Sequence, residues 1–210
     1  MNIYFILYLV GSYLIGSIPT SYILMKLLRR TDIREHGSGN AGATNFFRVS
    51  KQFKIKFSGF LTIIVAIIDI SKGFFPVYLS YEILQNNQLC QINDLHKIFI
   101  GIFTILGHIF PIYLKFKGGK GVLTSAGVIL ALAPTATLFA ISIGLIVIGI
   151  TKIVSLGSLI GAFSLPIFVI FFNFSSIYLL IFTILAFLLI LYTHRTNIKR
   201  IRRGTERKIF

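Results

Sequence analysis

Six apolar runs, at roughly 3–24, 57–80, 97–114, 121–150, 153–172 and 176–193, leave this chain few ways to fold. A helix needs about 20 apolar residues to cross a hydrocarbon core of about 30 Å, and most of the runs are close to that length. Soluble domains carry about a quarter charged residues. Here only 13% are charged and the mean hydropathy is +0.85. The 210 residues therefore read as an all-α integral membrane protein, a single polytopic domain over 1–210 with no room for a separate soluble one.

The run 121–150 is too long for one span, because thirty helical residues would reach about 45 Å. Pro134 stands near its middle, and Ala133–Pro134 offers a tight turn. Split there, the chain has seven spans, although each half is short. Charge supports the split. With seven spans the inside segments are 25–56, 115–120, 151–152 and the tail from 194. They hold eight, three, one and seven Lys/Arg, which is 19 of the 21. The outside segments are the N-terminus, 81–96 and two very short turns. Six spans would put the basic tail outside, against the positive-inside rule. The expectation is seven transmembrane helices, with the N-terminus outside and the C-terminus on the cytoplasmic side. The first run has its positive charge after it, at Lys26, Arg29 and Arg30, which is the reverse of a cleaved signal peptide. It is expected to be a retained span.

The net charge of +15 sits in loops and tail, where topology and anionic headgroups account for it without nucleic acid. A lone Cys90 and four scattered His provide no Cys-rich metal framework. Asp32, Glu35 and His36 are acidic or metal-capable, but Arg29, Arg30 and Arg34 beside them point to salt bridging rather than a metal.

This topology collects three polar stretches at one face. The run HGSGNAGATNFFR (36–48) has glycines that let backbone N–H groups converge, with Ser38, Asn40, Thr44 and Asn45 as further donors. Arg48 adds a planar fork suited to phosphate. The run FKGGKGVLT (116–124) places Gly118, Gly119 and Gly121 around Lys120 where a helix pattern begins. It is not a nucleotide P-loop, since Leu114 stands at the first glycine position and Gly121 follows the lysine. In the tail, His194 and Asn197 lie three residues apart on one helix face, and His is a common general base. Each stretch alone fits a flexible loop, a basic turn or a span end. Together they suggest phosphorylated substrates handled beside lipid. Within the spans, Asp69 and Lys72 are spaced to form an ion pair of structural use, and His108 reads as structural.

GSIP (16–19), SGNAGATN with Arg48 (38–48), DISKG (69–73), GHIFPIYLKFKGGKGVLT (107–124) and HRTNIKRIRRGTE (194–206) occur in order over nearly the whole chain. In this the sequence resembles the bacterial acyl-phosphate:glycerol-3-phosphate acyltransferases, the PlsY family. The resemblance implies transfer of a fatty acyl group from acyl phosphate to the 1-hydroxyl of sn-glycerol 3-phosphate, giving lysophosphatidic acid and inorganic phosphate. It implies catalytic Ser38, Arg48, Lys120, His194 and Asn197. Gly118 to Thr124 would form a phosphate-binding loop, and Glu206 would preserve integrity. No cofactor, nucleic acid or obligate protein partner is implied; the partners are the two substrates and the bilayer. The resemblance implies a bacterial inner-membrane protein with N-terminus periplasmic and C-terminus cytoplasmic, and the family's seven-span topology matches the charge count. Leu123, where Ala is usual, and Ser21, where Gly often follows GSIP, are small departures.

Acyltransferases that use acyl-CoA or acyl-carrier protein often carry H-x-x-x-x-D. Five residues after His36, His96, His108 and His194 stand Ala41, Gly101, Tyr113 and Lys199, which favours acyl phosphate. Two rival classes are weaker. A phosphate-ester transporter would place its cations near the midplane and show repeated halves, and a lipid-binding scaffold would not need HGSGNAGATN.

Overall fold

The computed structural model describes residues 2–173 and 176–209, and among these it is all helical. In chain order the helices are α1 (Ile3–Ser17), α2 (Thr20–Arg29), α3 (Ala43–Gln52), α4 (Ser58–Tyr78), α5 (Asp94–Ile109), α6 (Val122–Leu132), α7 (Pro134–Thr151), α8 (Val154–Phe172), α9 (Ile177–Thr193) and α10 (Arg195–Arg202).

Four helical stretches are long and apolar enough to cross a membrane: Ser58–Asn86, Asp94–Leu114, Pro134–Thr151 and Val154–Phe172. Two bent pairs, α1 with α2 and α9 with α10, raise the number to six. The remaining candidate for the seventh expected span is α6, whose 11 residues reach only about 16 Å. Much of the outer surface is apolar, with Leu27, Ile150 and Phe171 each at least 75% exposed, as suits a chain solvated by lipid.

The expected first span, 3–24, is not one helix. It breaks at Ile18–Pro19, and α2 leaves α1 at 41°. The cause is local: proline has no N–H to donate and drives the preceding residue out of helical geometry, and Ile18 is extended at ψ 113°. The break expected at Pro134 is present, with Ala133 at φ −144° ending α6 and opening α7. The expected outside segment 81–96 begins as helix, since α4 runs on through a wide turn over Tyr81–Asn86 with Leu84 buried. The basic tail is helical too, and α10 turns away from α9 by 64°. The short turn expected after Phe172 includes 174–175, outside the described residues.

Small residues bring the helices close. A Cβ at Gly127 of α6 would run into the Ile70 carbonyl of α4, and one at Gly73 of α4 into the Thr124 carbonyl of α6. Gly157 of α8 faces Gly144 of α7 in the same manner. Such contacts favour helix association in lipid, where burying apolar surface supplies no driving force. The main core gathers residues from α1 and α4 to α9, among them Phe5, Ile100, Val128, Ala136 and Val169. A second, smaller core of Met25, Ile33, Ala41, Phe46, Val49, Val65 and Leu114 underlies the polar run 36–48. It gives that run a packed floor.

Candidate active site

The run 36–48 is half turn and half helix. Gly37 and Gly39 adopt φ +63° and +71°, which a side chain would oppose, and α3 starts at Ala43 behind Gly42 with no side-chain cap. Asn45 staples the turn. Its Oδ1 accepts from Ser38 N at 2.7 Å, while Nδ2 donates to the carbonyls of Ile33, His36 and Asn40 at 3.2, 3.1 and 2.9 Å. Expected as a substrate donor, this buried amide is instead occupied by backbone. Asn45 still lines a cavity wall, together with Ser38, Asn40, Thr44 and Arg48. Asp32 pairs with Arg34 at 2.7 Å, and Arg34 also donates to Leu114 O at 3.0 Å, tying this segment to the lysine turn. The salt bridging expected of Asp32 is present, and no metal-holding group of three ligands occurs among the described residues.

The turn 115–121 puts Lys120 on the same cavity. Gly118 N and Gly119 N donate to Ile109 O and His108 O at 3.1 and 3.0 Å, so these two N–H groups do not form the expected cradle. Their glycines allow close packing, because a Cβ at Gly118 would meet the His108 carbonyl and one at Gly119 the His108 ring. Gly121, at φ +83°, opens α6 without a side-chain cap. Gly121, Val122 and Leu123 line the cavity, which directs the helix N-terminus at it. Thr124 is buried without lining it, its hydroxyl lacking a partner among the described residues. Ser125 Oγ, likewise without a partner among them, is on the wall.

Lys120 Nζ donates to Asn197 Oδ1. Asn197 Nδ2 donates to Glu206 Oε1 at 2.6 Å. The same carboxylate accepts from Ser155 Oγ at 2.8 Å and from Arg200 Nε at 2.6 Å. Burial pushes the Glu206 carboxyl up. The hydrogen bonds from Arg200, Asn197 and Ser155, with the Arg200 charge, overcome that and hold it below the usual carboxylate range. Burial also brings Lys120 down to about 8, with Arg200 and Arg48 adding to the shift against the pull of Glu206. Arg48 Nη2 donates to Arg207 O at 3.2 Å, and its buried Nε has no partner among the described residues. His194 is 3% exposed, and its Nδ1 lies 2.9 Å from Ile190 O. A carbonyl only accepts, so Nδ1 carries the proton and Nε2 the lone pair.

A further wall is buried and charged. Lys72 Nζ lies 2.8 Å from Asp69 Oδ1, the expected pair, and His108 Nδ1 lies 4.0 Å from the same oxygen. Asp69 and His108 line the cavity, whereas Lys72 stands behind them. His108 at this wall was not legible in the sequence, where it sits inside an apolar run. Ser155 was also missed, although a serine just after the Lys152 turn, at the face shared by the other polar stretches, was a usable signal.

The lining groups among these surround one cavity of about 430 Å³. Its polar end carries Ser38, Arg48, Lys120, His194, Asn197 and Glu206. Its other arm is apolar, between Ile129 of α6, Ala140 and Gly144 of α7, Gly161 and Leu165 of α8 and Phe187 of α9. The cavity therefore suits a molecule with an anionic head and a hydrocarbon tail.

Residues 6–204 match the family model described as glycerol-3-phosphate acyltransferase. The chain is 40% identical over 204 residues to the glycerol-3-phosphate acyltransferase of Fusobacterium nucleatum, covering 97% of each. It is 41% identical to that of Bacillus subtilis, covering 97% of this chain and 96% of the relative. The crystal structure of PlsY, an integral membrane glycerol 3-phosphate acyltransferase, in its glycerol 3-phosphate form superposes with a TM-score of 0.84 at 32% identity, covering 97% of this chain and 94% of that one. Its lysophosphatidic acid form gives a TM-score of 0.81 at 31% identity, with the same coverage. With the likeness running over nearly the whole chain in sequence and in fold, the chain belongs to the glycerol-3-phosphate acyltransferase family, the multi-pass membrane acyltransferases represented by PlsY.

Proposed function

We propose that this chain transfers a fatty acyl group from acyl phosphate to the 1-hydroxyl of sn-glycerol 3-phosphate, releasing lysophosphatidic acid and inorganic phosphate as the first acylation of phospholipid synthesis. One observation carries the reading: a single cavity joins a cluster of phosphate-type donors to an apolar arm between helices. The solved relative has glycerol 3-phosphate and lysophosphatidic acid forms, in keeping with acceptor and product of this kind. The donor assignment rests on the chemistry of the cavity and on the missing H-x-x-x-x-D.

In this reading the glycerol hydroxyl oxygen attacks the acyl carbonyl carbon, and the bond from that carbon to the phosphate oxygen breaks. The leaving group is already good, so no covalent enzyme intermediate is required. Positioning supplies much of the acceleration. Lys120, the α6 N-terminus and Arg48 hold phosphate and stabilise charge on the departing group. Ser38, Asn40 and Thr44 complete the binding of the two anionic substrates. His194 and Asn197 orient the acceptor, and the hydroxyl proton has two acceptors at hand, His194 Nε2 and the departing phosphate. Asn45, Gly118, Gly119 and Thr124 shape the loops, and Glu206 braces Asn197. No step calls for a cofactor.

The site is assigned to the cytoplasmic face of a seven-span bundle in the bacterial inner membrane, N-terminus out and C-terminus in, with α6 as a short span. The whole chain acts as one domain. The distribution of Lys and Arg supports this orientation.

Reconstitution with acyl phosphate and glycerol 3-phosphate, following lysophosphatidic acid and phosphate, tests the activity. Product from acyl-CoA but none from acyl phosphate sinks the donor assignment. Glycerol 3-phosphate flux without acylation sinks the acyltransferase reading.

A further inference from the structure

We propose that His108 is a positioning residue for Lys120, and that the buried Asp69–Lys72 pair exists to seat it. The inference rests on the reading above, in which Lys120 holds a substrate phosphate.

The pair itself calls for an explanation. Asp69 and Lys72 are 2% and 6% exposed, and a buried ion pair generally contributes no more stability than well-packed apolar residues would. Here it is wired to a helix break. Lys72 Nζ donates to Ile18 O at 3.0 Å, and Thr20 Oγ1 donates to Asp69 Oδ1 at 3.3 Å. At the Pro19 interruption the Ile18 carbonyl accepts from Thr20 N at 3.1 Å, and it takes the Lys72 ammonium as a second donor. Asp69 is thereby fixed between α4 and the α1–α2 bend, with its charge compensated where it meets an anion-binding cavity. An uncompensated carboxylate at that wall would repel phosphate.

His108 links this cluster to the lysine turn. On one side its Nδ1 faces Asp69 Oδ1 at 4.0 Å. On the other its ring lies against Gly119 so closely that a Cβ there would overlap Nε2. Its own carbonyl accepts from Gly119 N at 3.0 Å. His108 thus holds the residue before Lys120 by both ring and backbone, and Asp69 bounds the ring on its other side. Moving the ring moves the Gly119 backbone and with it the origin of the Lys120 side chain.

The test is a reciprocal size exchange read by steady-state kinetics on reconstituted enzyme. His108→Ala is expected to raise the KM of a phosphate-bearing substrate about tenfold with kcat within twofold. Gly119→Ala is expected to do the same, because its methyl displaces the ring. In the double variant the methyl occupies space vacated by the ring, so KM is expected to fall back toward wild type. A second exchange tests the pair: Lys72→Met should raise KM more than Asp69→Asn with Lys72→Met together. Additive losses in both double variants, a fall in kcat at constant KM, or a lowered Tm with unchanged kinetics would each overturn the proposal. Lys120→Met is measured in parallel. If it leaves both substrates' KM unchanged, the phosphate role of Lys120 fails; if it raises KM while the His108 and Gly119 variants do not, only the positioning inference fails.

Discussion

Asn197 donates to Glu206 Oε1 at 2.6 Å, and this fixes its amide with Oδ1 turned to Lys120. One carboxylate thereby orients both an active-site amide and, through it, an active-site cation. Glu206→Gln keeps the shape but replaces one acceptor oxygen by a donor and leaves Arg200 without its ion pair. We expect it to cost about 1–3 kcal/mol of stability, read as a lower Tm in detergent, and to lower kcat/KM at least tenfold. The pH sign follows from the depressed Glu206 pKa. Its contribution is full above the ordinary carboxylate value near 4.3 and is lost as pH falls through the lower folded value. Stability measured from pH 8 to 5 should show no loss from this group.

Lys120 supplies a different pH limb. Burial brings it down to about 8, and the ammonium that binds phosphate exists below that value. We expect kcat/KM to decline as pH rises through about 8. The limb in kcat should lie higher, because a bound phosphate stabilises the ammonium. Lys120→Arg, which stays cationic, should remove the limb from kcat/KM even where its activity is reduced. A limb that persists in this variant would assign it to another group.

His194 presents Nε2 as a lone pair because Nδ1 is bonded to Ile190 O. His194→Ala is expected to lower kcat by about 10²-fold or more, within the span typical of a lost acid–base group, with little change in Tm. His194→Gln should recover part of the loss if orienting the acceptor is the larger share of the role. Unchanged kcat in both would remove His194 from the site.

Ser38 and Asn45 should separate chemistry from scaffolding. Ser38→Ala is expected to lower turnover while leaving Tm within a degree or two. Asn45→Asp replaces a donor facing three carbonyls with a second acceptor, so it should lower Tm by several degrees. Binding of any substrate should weaken only as the turn loosens. Thermal unfolding in detergent beside kinetics checks both, and an Asn45→Asp variant as stable as wild type would refute the staple.

Much of the bundle was legible because its punctuation is chemical. Pro134 marks a helix break through a missing donor. The three polar stretches were legible as a group because they lie in the Lys/Arg-rich segments, and residues of all three line one cavity. Pro19 carried the same signal as Pro134, yet the apolar residues on both sides concealed the bend. Residue type alone also left open what each donor faces. Asn45 has the chemistry to bind substrate, but its turn consumes all of it. Gly119 has the conformational freedom of an anion cradle, but the ring of His108 accounts for it. His108 and Asp69 reach the cavity only through the close approach of α4, α5 and α6, a tertiary fact that no local pattern encodes.

The shortness of α6 has a consequence for where the reaction takes place. It has 11 residues against the 18 of its neighbour α7 across the Pro134 break. Along their own axes, α6 reaches about 10 Å less far from that shared corner than α7 does. In the proposed seven-span arrangement the lysine turn would therefore sit in a notch below the rim of the bundle. In the proposed reaction a water-soluble acceptor would descend into that notch, while a chain-bearing donor would reach it by sliding sideways within its own leaflet. Two reactants that share no common solvent would meet there without the lipid leaving the membrane.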